Sequence, residues 1–264
     1  MKVGFIGCGN MGRAMLVGML DAGVVSESNV FVSAKTQSTK EQIEKDYMVC
    51  IASNNIEVVK NADIIFLAVK PQFYEEVLRE IRDAVTEQKI LVSIAPGKTF
   101  AWLEEKIAKP CKFVRTMPNT PSLVKEGMMG ICGNTRVTAT ELRSICELCN
   151  GFSKTEVVSE NLMDVVTAVS GSSPAYVFMF IEAMADAAVE GGMPRQQAYT
   201  FAAQAVMGSA KMVLETGKHP GELKDMVCSP GGTTIQAVRV LEEQGMRAAV
   251  MDAMKVCIDK SRNM

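Results

Sequence analysis

A doubly wound α/β domain followed by a domain built from helices alone is the fold class that the sequence predicts, and three observations predict it. Short β-branched runs alternate with helix-period segments from residue 1 to about 160, such runs stop after Ser159, and a glycine-rich turn joins the first strand to the first helix. That alternation means a largely parallel sheet with helices on both faces. At 264 residues and 48% hydrophobic composition, the chain suits one large domain or two smaller ones around a packed core. We expect a boundary at 159/160, giving domains 1–159 and 160–264.

In chain order the strands are KVGFI (2–6), NVFVS (29–33), DIIFLAV (63–69), KILVSI (89–94), KFVRTM (112–117), MMGIC (128–132) and KTEVV (154–158). The helices among them are NMGRAMLVGMLDAG (10–23), QFYEEVLREIRDAV (72–85) and TATELRSICELCN (138–150). Beyond Glu160, Leu162, Val165, Val166 and Val169 recur at helical spacing, and longer helices follow over 174–190, 196–216 and 233–260. Breaks are expected at SGSSP, GGMP, GKHPGE and SPGG. The segment Tyr176 to Val189 is apolar around most of its circumference, which calls for several covering helices, and a partner subunit is the natural source of them.

Charge and cysteine usage exclude several classes of function. With 28 basic and 30 acidic residues, a net charge of −2 and no basic run, the chain has no electrostatic footprint for nucleic acid or an anionic membrane. PAYVFMFIEAMADAAVEGG is interrupted by Glu182, Asp186 and Glu190 and reads as a buried helix too short to span a bilayer. The eight cysteines are scattered, and the chain opens on a strand instead of a signal peptide, so a reducing cytoplasm is expected. Cys146 and Cys149 form a CxxC inside a helical pattern with no second pair and no nearby His, so we expect packing and no metal site.

KVGFIGCGNMGRAM sets Gly7, Gly9 and Gly12 directly after a strand and at the opening of a helix. Gly7 permits the tight turn, Gly9 lets the backbone approach a pyrophosphate, and Gly12 lets helix and strand pack closely, with the anion at the helix N-terminus. This is a Rossmann-like dinucleotide-binding fingerprint. An NAD-binding fold expects an acid at the end of the second strand, yet NVFVS runs into Ser33-Ala34-Lys35-Thr36 and the next acid is Glu41. Hydroxyls and a cation there favour NADP over NAD, with Lys35 as a solvated loop residue the competing reading. AVKPQ, SIAPGKT and RTMPNTP each follow a strand and face the same crevice, which makes Lys70 and Asn119 candidates for the nicotinamide end; strand termination by the prolines is the alternative.

The set GxGNMG, AVKPQ, MPNTP, SGSSPAY, HPGELKDMV and SPGGTT, in this order over the whole chain, closely resembles the 1-pyrroline-5-carboxylate reductase family. The resemblance implies reduction of a cyclic imine carboxylate to proline by NADPH or NADH, and a C-terminal helical domain that makes a homodimer, with a higher oligomer of dimers left open. It implies that Gly7, Gly9, Asn10, Met11 and Gly12 hold the pyrophosphate, that Ser33 and its neighbour Lys35 face the adenosine ribose, and that Asn55, Ala68, Val69, Lys70 and Pro71 line the groove. It also implies that Ser229, Gly231, Gly232, Thr233 and Thr234 receive the substrate. Ser173 departs from the family, which usually has Gly there.

Glycines leave the SPGGTT backbone uncluttered, and the helix after it offers free N–H groups, so a carboxylate can be cradled without an Arg. Thr234 is the candidate catalytic partner of the ring nitrogen; a helix N-cap is the equally weighted alternative. His219 in GKHPGE reads as a turn residue and not a general acid. Two other functions compete: a β-hydroxyacid dehydrogenase, disfavoured because no Lys occurs between Lys154 and Lys211, and a non-catalytic NADP-sensing protein.

Overall fold

The structure, a computed structural model, describes Met1–Asn263. Strands β1 (Val3–Ile6), β2 (Val30–Ser33), β3 (Cys50–Ile51), β4 (Ile64–Leu67), β5 (Ile90–Ser93), β6 (Lys112–Met117), β7 (Gly127–Gly133) and β8 (Ser153–Val157) form one sheet, in the order β3-β2-β1-β4-β5-β6-β7-β8. Neighbours pair in parallel except β6 with β7. Strand order reverses between β1 and β4, so the crevice beyond their carboxyl ends is where a ligand of this fold sits.

Alternation along the strands sends side chains to two separate cores. Val3, Phe5, Phe66 and Val92 pack with Met15, Leu16 and Met19 of α1 (Asn10–Asp21), Ile43 of α2 (Gln37–Tyr47) and Ile145 and Leu148 of α6 (Ala139–Cys149). On the opposite face, Ile6, Ile65, Leu67 and Leu91 pack with Val58 of α3 (Asn55–Asn61), Leu78 and Ile81 of α4 (Tyr74–Ile81) and Leu103 and Ile107 of α5 (Phe100–Ile107). Phe5 and Phe66 stack across β1 and β4 with ring centres 5.2 Å apart.

The seven expected strands are present, whereas β3, α2, α3 and α5 were not anticipated. β3 has two residues, α3 seven and α5 eight, too short for a periodic signal, and α2 buries only Ile43. What starts the unexpected helices is capping: Thr36, Asn54 and Thr99 accept from the backbone N–H three residues on.

The chain divides into two compact units, Met1–Ser172 with Cys257–Met264, and Ser173–Val256. In the first, α7 (Met163–Val166) runs into a π-helical turn over Thr167–Ser172. The expected break at SGSSP is therefore corrected: the helix continues through it into α8 (Ser173–Glu190). Pro174 has no N–H to give the carbonyl of Ser170, and its ring would collide with that group in a regular helix. The π turn widens the backbone there, and the Ser170 carbonyl accepts from Asn119 Nδ2 at 3.0 Å instead.

The second unit contains α8, α9 (Arg195–Thr216), α10 (Pro220–Val227), α11 (Thr233–Glu243) and the larger part of α12 (Met246–Arg262). The single helix expected over 233–260 is split at Gly245, whose φ of +72° suits the left-handed backbone that ends α11. Among the described residues, this unit buries only Ala185, Ala198 and Ala202, while Phe178 is 61% and Met179 68% exposed. The continuous run Glu160–Glu190 is also long and apolar enough, by length and composition, to cross a membrane, which corrects the expectation of a segment too short to span.

Candidate active site

Gly7 turns the chain out of β1 with φ +84°, and a Cβ there would lie 2.9 Å from the Ala68 carbonyl oxygen. Its N–H donates to the Ser33 carbonyl at 2.9 Å, which joins the turn to the end of β2. Gly12 packs against Ala68, where a Cβ would sit 3.2 Å from the alanine's own. Gly9 is different: nothing lies within 4 Å of where its Cβ would be. It is the N-cap of α1, without a side-chain cap, so the first N–H groups of the helix face open space. That uncluttered cradle fits a pyrophosphate. Between these glycines, burial pushes the Cys8 thiol up to about 11, so it stays neutral at physiological pH and leaves the cradle without a competing anion.

A groove of about 460 Å³ opens from this turn. It brings together eight of the residues expected to hold a dinucleotide: Gly7, Gly9, Ser33, Lys35, Asn55, Ala68, Val69 and Lys70. At the end of β2, Ser33 Oγ donates to Asn55 Oδ1 at 2.6 Å, and Asn55 Nδ2 donates to Glu80 Oε2 at 2.6 Å. Lys35 holds its Nζ over the Phe73 ring, 5.0 Å from the centre. At the end of β4, Lys70 starts the turn Pro71–Phe73, and the Phe73 N–H donates to its carbonyl at 2.9 Å. Tyr74 fastens that turn from below, donating to the Leu67 carbonyl at 2.6 Å and accepting from the Ile94 N–H at 3.1 Å. Burial raises its hydroxyl to about 12.

Other expected residues stand outside the groove lining. Asn10 lines a separate cleft with Arg13 and Lys125, Met11 packs against the core, Gly12 meets Ala68, and Pro71 heads its turn. Asn119 is buried and committed at both ends, donating to Ser170 and accepting from the Met128 N–H at 2.9 Å. Sequence reasoning missed Asn54, Phe73, Glu76 and Glu80, which do line the groove. Glu76 and Glu80 share the i, i+4 spacing of one helix face, but nothing in the sequence tells which face of α4 meets the crevice.

In the helical unit, Ser229–Thr234 form a tight turn opening α11. Gly231 has φ +67°, in the left-handed region that favours glycine, and a Cβ on Gly232 would fall 2.3 Å from Ser229 Oγ and 3.1 Å from the Ser229 carbonyl oxygen, so a side chain there would have to displace the serine. The Gly232 N–H donates to the Ser229 carbonyl at 3.0 Å, and Gly232 itself is the N-cap of α11, with no side-chain cap. The capping alternative for Thr234 is thereby overturned: it stands at the second helical position with its hydroxyl outside any cap. His219 caps α10, its Nδ1 accepting from the Gly221 N–H at 3.0 Å, which is the work of a turn residue.

The eight cysteines are free, and burial drives the Cys149 thiol strongly upward. Among the described residues no group of three His, Cys, Asp or Glu is placed to hold a metal ion.

Comparison with known proteins gives concordant matches. Residues 160–264 match the family model for pyrroline-5-carboxylate reductase dimerisation, and residues 2–97 the model for NADP oxidoreductase, coenzyme F420-dependent. The chain is 52% identical to pyrroline-5-carboxylate reductase of Escherichia coli (strain K12), covering 100% of this chain and 98% of the relative. It is 42% identical to the enzyme of that name from Methanosarcina acetivorans, covering 100% and 97%. Among solved structures, the Plasmodium falciparum pyrroline carboxylate reductase with NADP bound superimposes with a TM-score of 0.90 at 34% identity, over 100% of this chain and 97% of that one. Prephenate dehydrogenase from A. aeolicus, at 14% identity over 94% of this chain and 98% of that one, with a TM-score of 0.57, shares the fold alone.

Proposed function

The chain belongs to the pyrroline-5-carboxylate reductase family, and on that ground we propose that its groove holds NADP(H) while its Ser229–Thr234 loop holds the imine acid. The reaction is the reduction of 1-pyrroline-5-carboxylate to proline by NADPH, with NADH as the alternative donor. When bound, the dinucleotide supplies a hydride to the carbon of the C=N bond; the nitrogen carries one more proton in the product amine than in the neutral imine.

Gly7, Gly9 and the first turn of α1, including Asn10, Met11 and Gly12, receive the pyrophosphate, and Ser33, Lys35 and Asn55 receive the adenosine ribose. Ala68, Val69, Lys70 and Pro71 line the path onward, and Asn119 acts on the nicotinamide end through the loop it clamps. On α11 the N–H groups of Thr233 and Thr234, turned outward by Gly231 and Gly232, bind the substrate carboxylate. The Thr234 hydroxyl accepts from or donates to the ring nitrogen, orienting it while the proton is held there. No imidazole is required.

The observation that carries this reading is that α11, like α1, starts on a glycine without a side-chain cap, so each glycine-rich loop opens a helix N-terminus that no cap side chain closes. Turnover of NADPH with the cyclic imine and formation of proline is the test. NADPH binding without turnover would instead leave an NADP-sensing protein.

We divide the functions at 159/160, with cofactor binding in 1–159 and dimerisation and substrate binding in 160–264. The dimer, and a higher oligomer built from it, covers the exposed apolar faces of α8 and α9, a role we assign to protein helices and not to lipid because Glu182, Asp186 and Glu190 interrupt α8. The assigned compartment is the cytoplasm, where eight unpaired cysteines persist.

A further inference from the structure

We infer that Glu80 is a specificity-determining residue for the dinucleotide, acting through Asn55 and Ser33; the inference rests on the assignment of this groove to NADP(H). Three residues from three elements form a directed chain: Ser33 Oγ at the end of β2 donates to Asn55 Oδ1, and Asn55 Nδ2 at the start of α3 donates to Glu80 Oε2 on α4, each at 2.6 Å. Its direction is set at the Glu80 end. A carboxylate only accepts, so the Asn55 amide must turn its NH₂ toward Glu80 and its oxygen toward Ser33. The Ser33 hydroxyl must then donate inward, and it offers the groove lone pairs alone.

Such an arrangement suits one ligand better than another. A ribose 2′-hydroxyl can donate to a lone pair, whereas a 2′-phosphate needs donors and cations. For Ser33 to donate to a phosphate, its single proton has to leave Asn55 Oδ1, and that oxygen, held toward Ser33 by the Asn55–Glu80 bond, then loses its donor. Glu76, one turn earlier on α4, lines the same groove, so two carboxylates are set there against Lys35 and Lys70. Glu80 therefore restrains the preference for NADPH that Ser33 and Lys35 create, and it keeps NADH admissible. The sequence shows no acid at the end of β2; the structure supplies one from α4 through an amide.

The test is calorimetric titration of the full-length protein with adenosine 2′,5′-bisphosphate and 5′-AMP, then NADPH and NADH, reading the ratio of dissociation constants within each pair. Glu80→Gln removes the charge and, because an amide can present either end, no longer imposes a direction on Asn55. We expect it to shift both ratios toward the 2′-phosphorylated ligand by about three- to tenfold. Glu76→Gln removes the same charge without touching Asn55 and should shift them by less than half as much on a logarithmic scale. Ratios for Glu80→Gln within about twofold of wild type, a shift toward the unphosphorylated ligand, or equal shifts in both variants would overturn the inference. Each ratio is internal to one protein sample, so partial misfolding does not imitate the effect. Ser33→Asp separates the two levels of the reading: if it leaves the ratios unmoved, the groove assignment itself fails, whereas if it moves them and Glu80→Gln does not, Glu80 alone loses its role.

Discussion

Thr234 and Cys8 illustrate how much a residue's role depends on its backbone. Both lie at the mouth of a helix that starts on glycine, yet the thiol is buried and held neutral while the hydroxyl is partly accessible and uncapped. Thr234→Ala should lower kcat by about ten- to a thousandfold, the lower part of the range for a positioned proton-transfer group, with NADPH affinity unchanged. Thr234→Ser should keep most activity, and steady-state kinetics beside a binding titration checks both. The buried acids give a second expectation. Cys8 and Cys132 are raised to about 11, and Cys111 and Tyr74 to about 12, burial being the first cause in each. Their neutral forms are favoured by folding, so this contribution is full below the unfolded values of 9.0 and 10.0 and is lost as pH rises through the folded ones. Denaturant midpoints should therefore fall between about pH 9 and pH 12. A flat profile across that range would contradict the assignment. Gly7 and Gly231 were legible in the sequence because their left-handed backbone favours glycine, and Gly9 because it belongs to the spaced glycine motif that leaves room for a ligand; Glu80 was not, because its position depends on how α4 is rotated against the sheet.

At the scale of elements, legibility followed burial. β1, β4 and β5 are buried at every position and read as continuous apolar runs, whereas α2 buries one residue and announces itself only through a threonine cap. The π turn was illegible for a further reason: Pro174 reads locally as a helix stop, and the tertiary partner that lets the helix continue, Asn119, is 55 residues away in the chain. That pairing yields a test. Asn119→Ala removes a buried donor from the Ser170 carbonyl and the acceptor of the Met128 N–H, and should cost about 1–3 kcal/mol. If Asn119 acts on the cofactor only through this clamp, the loss of stability and faster amide exchange at Met128 will accompany any rise in KM for NADPH. A raised KM with stability intact would mean direct contact instead.

For the whole molecule, the decisive fact is that Ser173–Val256 buries three alanines among the described residues and leaves Phe178, Met179, Phe201 and Leu214 exposed. A unit so poor in its own core presents apolar surface of the kind found at interfaces, and it lies within the residues that match a dimerisation family. If the two helical units interlock, the Ser229–Thr234 loop of one subunit serves the dinucleotide groove of its partner, and each active site takes parts from both chains. The prediction is tested by mixing two inactive variants, one with Gly9 replaced by a bulky residue that fills the pyrophosphate cradle, the other Thr234→Ala. In a shared-site heterodimer, one of the two sites pairs the intact groove of the second variant with the intact loop of the first. Co-refolding should then restore about half of the wild-type activity per heterodimer, on the order of one working site in two. With sites contained in single chains, no combination of subunits restores an intact site. Verified heterodimers that stay inactive would therefore remove the shared-site arrangement, and activity that appears only in the mixed species would establish that catalysis requires the dimer.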